Sequence, residues 1–261
     1  MKALGIAATG MMAQQTNVDV ISNNIANANT TGFKSARASF TDLIYENQSR
    51  EGAVTAEEGT TRPIGLDIGL GVRSVGTLRL NTQGGLTQTE SQLDLAIDGR
   101  GYFTVNLPDG DQAYTRDGSF RLSAEGQIVN HQGFEIDPGV VLPDNTTAVE
   151  ISETGIVSAY VEGDPIPVEV GQLTLTTFVN DAGMRPLGNN LLEATVASGD
   201  AIPALPGDAG VGILRQGYLE ASNVDIIRQI TDLIQAQRAY EMNSKAIETA
   251  DQMMSAANQI K

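Results

Sequence analysis

The sequence predicts an α+β protein in which N- and C-terminal helices form a coiled-coil domain and the residues between them form a mainly antiparallel β domain. Three observations carry this expectation. All nine prolines lie between Pro63 and Pro206, and 24 of the 28 glycines lie between positions 46 and 214, so both ends are free of proline and poor in glycine. Both ends repeat apolar residues at the spacing of a single helix stripe. The middle is a series of short, partly alternating segments separated by Asp-Gly and related turn signals.

In the first helix the stripe runs through Leu4, Ala8, Met11, Val18, Ile21 and Ile25, and the stop is expected near Asn29-Thr30-Thr31-Gly32, where Asn and Gly end helices. At the other end, Ser222-Asn223-Val224-Asp225 reads as an N-cap with an acidic third residue. The long helix after it carries Ile226, Ile230, Leu233, Tyr240, Ile247 and Met254, flanked by Ile227, Ile234, Ala250 and Ala257. At ~1.5 Å per residue, some 35 residues reach roughly 50 Å, more than a compact domain of this size needs. Gln237, Ser244 and Asp251 interrupt the stripe at heptad positions, which weakens a coiled coil but fixes register and partner. Two readings stay open, a helical hairpin packed on its own β domain and an intermolecular bundle; the seven-residue recurrence favours the bundle.

The β segments are Leu93–Ile97, Tyr102–Val105, Ala113–Thr115, Ser119–Leu122 and Gln127–Val129, punctuated by Asp98-Gly99, Pro108-Asp109-Gly110, Asp117-Gly118, Glu125-Gly126 and Gln132-Gly133. Turns at that density imply a hairpin-rich sheet or small barrel. Later candidates are Gly155–Val161, Ile166–Val170 and Gln172–Val179, with a Gly/Pro-rich connection from Ser198 to Gly212. Residues 46–76 have few apolar anchors before Ile64-Gly65-Leu66-Asp67-Ile68-Gly69-Leu70-Gly71-Val72, and an extended, irregular arm is expected there. The expected division is therefore 1–45 with 215–261 as the helical domain, 46–76 as the arm and 77–214 as the β-rich domain.

The 261 residues supply ample core material. Sixteen Lys and Arg face 32 Asp and Glu, a net charge of −16 and the wrong sign for a protein that neutralises phosphates, so nucleic acid is not an expected partner. The ends balance: 1–45 carry three basic and two acidic residues and 215–261 five and six, while 46–214 carry eight and 24. The chain has no cysteine and one histidine, His131, which excludes disulfides, thiolate nucleophiles and Cys or multi-His zinc sites. No apolar run approaches the ~18–20 residues that span a bilayer, so membrane insertion is not expected. Met1-Lys2-Ala3-Leu4-Gly5-Ile6-Ala7-Ala8 gives way to Gly10, Gln14, Gln15 and Asn17, so a cleaved signal peptide is not expected either.

Nothing among the chemically versatile residues forms a persuasive catalytic, cofactor or metal site. His131 stands in a turn without catalytic company. Asp109, Asp111 and Asp117 fail the calcium-loop pattern because position 113 is Ala and the glycine is misplaced. Gly69-Leu70-Gly71 lacks the third glycine of a dinucleotide fingerprint and reads as backbone flexibility or close packing. Scattered carboxylates meet no aromatic platform for a sugar, since Trp is absent. No enzyme activity and no cofactor are expected.

Ser22-Asn23-Asn24-Ile25-Ala26-Asn27-Ala28-Asn29-Thr30-Thr31-Gly32-Phe33-Lys34 resembles the signature of bacterial flagellar rod and hook proteins, an Asn-rich helix end running into a Thr-x-Gly-Phe-Lys turn. Gln237–Ile247 is similar to the family's terminal helix, and Asp94–Phe103 and Tyr114–Phe120 resemble its β domain. Ile68–Val72 and Gly217–Val224 are most similar to the distal part of the rod. The resemblance implies a structural subunit exported by the flagellar type III apparatus without a cleaved signal peptide. In the family, subunits polymerise into a periplasm-spanning helical tube, with terminal helices as an inner coiled-coil layer around the channel and the β domain outward. The implied partners are further copies, proximal rod proteins, the hook protein, and the peptidoglycan-ring and outer-membrane-ring proteins. The residues expected at subunit contacts are Leu4, Met11, Val18, Ile21, Ile25, Asn27, Thr30, Gly32, Phe33, Ile226, Ile230, Leu233, Tyr240, Ile247 and Met254. The alternatives are a proximal rod or hook-type axial protein, and a secreted β-rich adhesin or enzyme that works as a monomer.

Overall fold

The structure, a computed structural model, describes residues 2–49, 64–163 and 166–259. Helix α1 spans Lys2–Ala26 and helix α2 spans Ile226–Gln259. Among the described residues between them the regular elements are strands and one short 3-10 turn, Asp181–Gly183. The chain divides into two compact units. Unit 1 comprises Met1–Ala26, Ala36–Leu78 and Asp225–Lys261; unit 2 comprises Asn27–Ser35 and Arg79–Val224.

In unit 1 the two helices pack antiparallel. Asn24 Nδ2 donates to Gln229 Oε1 at 3.0 Å, and Gly10 lies against Asn243, whose Nδ2 would be 2.9 Å from a Cβ on that glycine. The two contacts lie fourteen residues, or two heptads, apart on each helix and in opposite order. The buried residues are small or polar for the most part: Ala7, Ala13, Ile21 and Asn24 on α1, Ala236 and Ala250 on α2. Gln229, Ala236, Asn243 and Ala250 recur every seven residues, and Leu233, Ile247 and Met254 are half-buried beside them. The seam between the two helices therefore runs largely beside the apolar stripe read from the sequence. Small side chains let the backbones approach closely, so the bulky Ile226, Ile230 and Tyr240 stay exposed.

Both helix boundaries are also displaced from expectation. Helix α1 ends at Ala26, and turns occupy 27–32, where Thr30 N–H bonds Asn27 O at 3.2 Å. The N-cap of α2 is Asp225, whose Oδ1 accepts from Arg228 N–H at 3.2 Å, in place of Ser222. Ser222 Oγ accepts instead from Val224 N–H. Asn223 is committed elsewhere: its Oδ1 accepts from Ser35 N–H at 2.7 Å and its Nδ2 donates to Leu80 O and Thr82 O. Those bonds hold the chain extended until Asp225.

The residues expected as an irregular arm are, where described, regular paired strands. Tyr45–Ser49 pairs antiparallel with Leu66–Gly69, and Ala36–Asp42 pairs with Val72–Arg79. Between the pairs, Leu43 N–H bonds Gly71 O and Leu70 N–H bonds Ile44 O, so the two pairs run on as one ribbon. The stretch 50–63, the centre of the expected arm, lies outside the described residues. Gly71 has φ +118°, and a Cβ there would overlap Thr9 Oγ1 of α1, so the Gly-Leu-Gly stretch serves close packing.

Unit 2 is the β body. Its largest sheet has seven strands in the order Arg185–Gly188, Leu191–Glu193, Gln112–Thr115, Phe103–Asn106, Glu135–Ile136, Ile128–Val129 and Arg121–Leu122, each antiparallel to its neighbours. A three-stranded sheet joins Thr146–Ile151, Ile156–Val161 and Val168–Gln172. Ile213–Gln216 pairs with Leu95–Asp98, and Tyr218–Glu220 with Leu86–Gln88. The expected connection from Ser198 to Gly212 contains a strand, Ile202–Ala204, paired with Leu175–Thr177; Pro203 is tolerated because this strand pairs on one side only. The core gathers Leu95, Ile97, Phe103, Phe120, Ile136, Val157, Leu173, Leu175 and Leu214, with Phe103 and Phe120 edge to face at 5.0 Å.

Candidate assembly surface

Most of the residues expected at subunit contacts lie on the two helices of unit 1. Of these, Ile21 is buried, Leu4, Met11, Val18, Ile25, Leu233, Ile247 and Met254 are half-buried, and Ile226, Ile230 and Tyr240 are exposed at 44, 46 and 44%. Sequence reasoning placed Ile227 and Ile234 beside the stripe, and both are exposed, Ile227 at 81%. Ile226, Ile227, Ile230 and Ile234 therefore form an aliphatic surface on the first turns of α2 that α1 does not cover. The ribbon adds Phe40, Ile44, Tyr45, Leu66, Leu70, Val75 and Leu78, all exposed and absent from the expected set. An uncovered apolar area of this kind gains ~25 cal/mol per Å² when a partner removes it from water.

The other expected residues, Asn27, Thr30, Gly32 and Phe33, form a half-buried turn of unit 2. Thr30 Oγ1 donates to Asn27 Oδ1 at 3.2 Å, and Gly32 N–H bonds Glu220 O at 2.8 Å. Gly32 has φ +68°, and its missing Cβ leaves room for the backbone of Arg116 and Asp117, which a methyl would meet at 2.8 Å. Asn190 Nδ2 donates to Thr31 O at 3.2 Å. This turn is fixed by its own chain.

Beneath the turn lies a buried ionic cluster that sequence reasoning missed. Glu220 Oε1 accepts from Lys34 Nζ at 2.5 Å and from Gly84 N–H at 2.9 Å, and Oε2 faces Arg116 Nη1 at 3.3 Å. Lys34 Nζ also donates to Thr82 O, and Arg116 Nη2 to Gly99 O at 2.7 Å, with the guanidinium 5.3 Å from the Tyr102 ring centroid. Burial holds the Lys34 ammonium below its usual pKa, against the opposing pull of Glu220. The cluster draws one residue from each of three stretches: Thr-x-Gly-Phe-Lys, Tyr114–Phe120 and Gly217–Val224. The signal available in sequence was a charged residue within each of the three stretches.

His131 has neighbours after all. Its Nε2 lies 2.9 Å from Ser119 Oγ, whose own proton goes to Asp117 Oδ1 at 2.5 Å. With that proton committed, the imidazole acts as donor to the hydroxyl, the reverse of the role a general base plays toward a nucleophile.

Three family models match the chain. "Flagella basal body rod protein" matches residues 4–34, "Flagellar hook protein FlgE/F/G D1 domain" residues 96–159, and "Flagellar basal body rod FlgEFG protein C-terminal" residues 215–260. The flagellar basal-body rod protein FlgG of Caulobacter vibrioides is 50% identical over 100% of both chains. The FlgG of Buchnera aphidicola is 48% identical over 99% of both chains, and that of Borreliella burgdorferi 46% identical over 100% of this chain and 99% of its own. With likeness running the whole length of the chain, the protein belongs to the FlgG family of flagellar basal-body rod proteins.

Proposed function

We propose that this chain is a structural subunit of the distal flagellar rod, polymerising through its terminal helices into a helical tube that carries motor torque to the hook and lines part of the export channel. The carrying observation is the aliphatic surface of Ile226, Ile227, Ile230 and Ile234, left open by the small and polar α1–α2 seam in a chain whose relatives are rod proteins. A contact that joins one patch to a different patch on the next copy repeats into a helix when its rotation does not close. The seven-residue recurrence along the seam supports a coiled-coil inner layer built of α1 and α2. The charge distribution supports an outward unit 2, with 20 acidic against 7 basic residues, while unit 1 carries 12 against 9 and can stack with little repulsion. Proximal rod, hook and ring proteins, together with the export apparatus, are the partners in this reading.

The test is Ile227→Asp with Ile230→Asp in a flagellated host that lacks its own copy. The purified variant should unfold within about 0.5 kcal/mol of the parent, as surface substitutions do, while basal bodies lack the distal rod and cells do not swim. Normal rods and motility in that variant would overturn the proposal. Labelled chain found along the hook, and not along the rod, would favour the hook-type alternative.

A further inference from the structure

Strand Thr146–Ile151 pairs with Ile156–Val161 on one side. Its other side presents the N–H groups of Val149 and Ile151 and the C=O of Val149, and all three are taken by glutamine side chains. Val149 N–H donates to Gln92 Oε1 at 3.1 Å, Ile151 N–H donates to Gln216 Oε1 at 3.1 Å, and Gln216 Nε2 donates to Val149 O at 2.7 Å. Gln216 Nε2 also bonds Gln92 O at 2.8 Å, which ties the two together. One side-chain amide thus joins a carbonyl to the N–H two residues on, the pattern made by the N–H and C=O of one residue in a parallel neighbour strand. Beside these bonds runs an open groove of about 400 Å³, lined by Glu90, Gln92, Ala148, Glu150 and Tyr160, so solvent reaches the exposed Gln92 that covers this edge. The sequence here, Thr-Thr-Ala-Val-Glu-Ile, is strongly β-prone, and an unguarded edge of such a strand is a template for pairing with another chain.

We propose that Gln92 and Gln216 are a latch over the edge of strand Thr146–Ile151, withholding it from strand-to-strand pairing with the same segment of a second copy. Two amides are well suited to this. They satisfy the buried backbone groups, yet they offer no continuous strand on which a further chain can build. The inference depends on the fold of unit 2 alone, and the assembly in which the chain works does not enter it.

The experiment compares the full chain with Gln92→Ala/Gln216→Ala, using a fluorescein-labelled peptide of residues 145–152 as the probe and hydrogen exchange as the local readout. In the double variant the amides of Val149 and Ile151 should exchange about tenfold faster. The peptide should then bind saturably and slow those two amides again, while the parent binds none. A second variant, Gln216→Glu, retains the acceptor for Ile151 N–H but loses both donated bonds; it should also bind the peptide, and it serves where the alanine pair does not fold. Faster exchange with no peptide binding in a folded variant would show that the glutamines only tie the sheets together, and would overturn the latch. Equal binding by parent and variant would overturn it as well.

Discussion

Glu220 and Lys34, 186 residues apart in sequence, meet at 2.5 Å with side chains 0 and 5% exposed. A buried carboxylate shared by two cations holds its strands together only while all three groups are present. Removing the anion leaves Lys34 and Arg116 buried and uncompensated. Glu220→Ala is therefore expected to cost about 3–5 kcal/mol, read by urea unfolding. Glu220→Gln, which keeps a hydrogen-bond acceptor but no charge, should recover a minor part of that loss. A cost under about 1 kcal/mol, the range of an exposed pair, would show that the cluster is solvated.

Alkaline pH tests the same region through Tyr102. Burial, with a smaller contribution from the Asp181 carboxylate, pushes its phenol up to about 12 from 10.0. Between those values the unfolded chain has lost the proton and the folded chain keeps it, so stability falls as pH rises from 10 towards 12. The loss reaches about 3 kcal/mol, at about 1.4 kcal/mol per pH unit. Lys34 contributes with the opposite sign, adding stability between its lowered pKa and 10.5. Tyr102→Phe should remove the Tyr102 part of the decline. Unfolding curves at pH 9 to 12, beside absorbance titration of the tyrosines, read both effects.

Gly32 is the position of the Asn-rich motif where a single methyl should do most harm. Its φ of +68° is uncomfortable for alanine, and the added carbon would press on the Arg116–Asp117 backbone, which cannot rotate away as a side chain does. Gly32→Ala should destabilise by about 2–3 kcal/mol, measured by thermal unfolding. Gly5→Ala, in the first turn of α1, should instead be neutral or stabilising, because no atom outside its own helix lies within 4 Å of a Cβ placed there.

The parts of this fold that depend on neighbours in sequence were legible. Gly99, Gly110, Gly126 and Gly133 adopt positive φ at turns that the dipeptides announce, and the strands between them fall within a few residues of expectation. Long-range choices were not legible in that way. Apolar spacing marks Ile227 and Ala236 alike as helix positions, but it does not say that Gly10 admits a close approach, which buries Ala236 and leaves Ile227 in water. Ser222 and Asp225 are both good caps, and Asn223's bonds to Ser35, Leu80 and Thr82 decide between them. For the candidate surface, sequence named the helical residues; the ribbon's Phe40, Ile44 and Leu70 escaped because pairing of 36–49 with 66–79 has no local mark.

Asn24 supplies the last prediction, because it serves two structures at once. Its Oδ1 accepts from Ala36 N–H at 2.9 Å, and its Nδ2 donates to Ala36 O at 2.8 Å and to Gln229 Oε1 at 3.0 Å. It thus closes the start of the ribbon and sets the helix register, with only 1% of its surface exposed. Asn24→Leu keeps the volume but orphans both polar groups of Ala36, and about 2–4 kcal/mol should be lost, since each unpaired buried group costs about 1–3 kcal/mol. Gln229→Leu removes one bond from a half-buried site and should cost about 1 kcal/mol or less. If register is what the pair supplies, a cysteine pair replacing Gly10 and Asn243 should cross-link readily in the parent and in Gln229→Leu, but slowly in Asn24→Leu. Undiminished cross-linking in Asn24→Leu would mean that the small seam of Gly10, Ala13 and Ala236 sets the register without it.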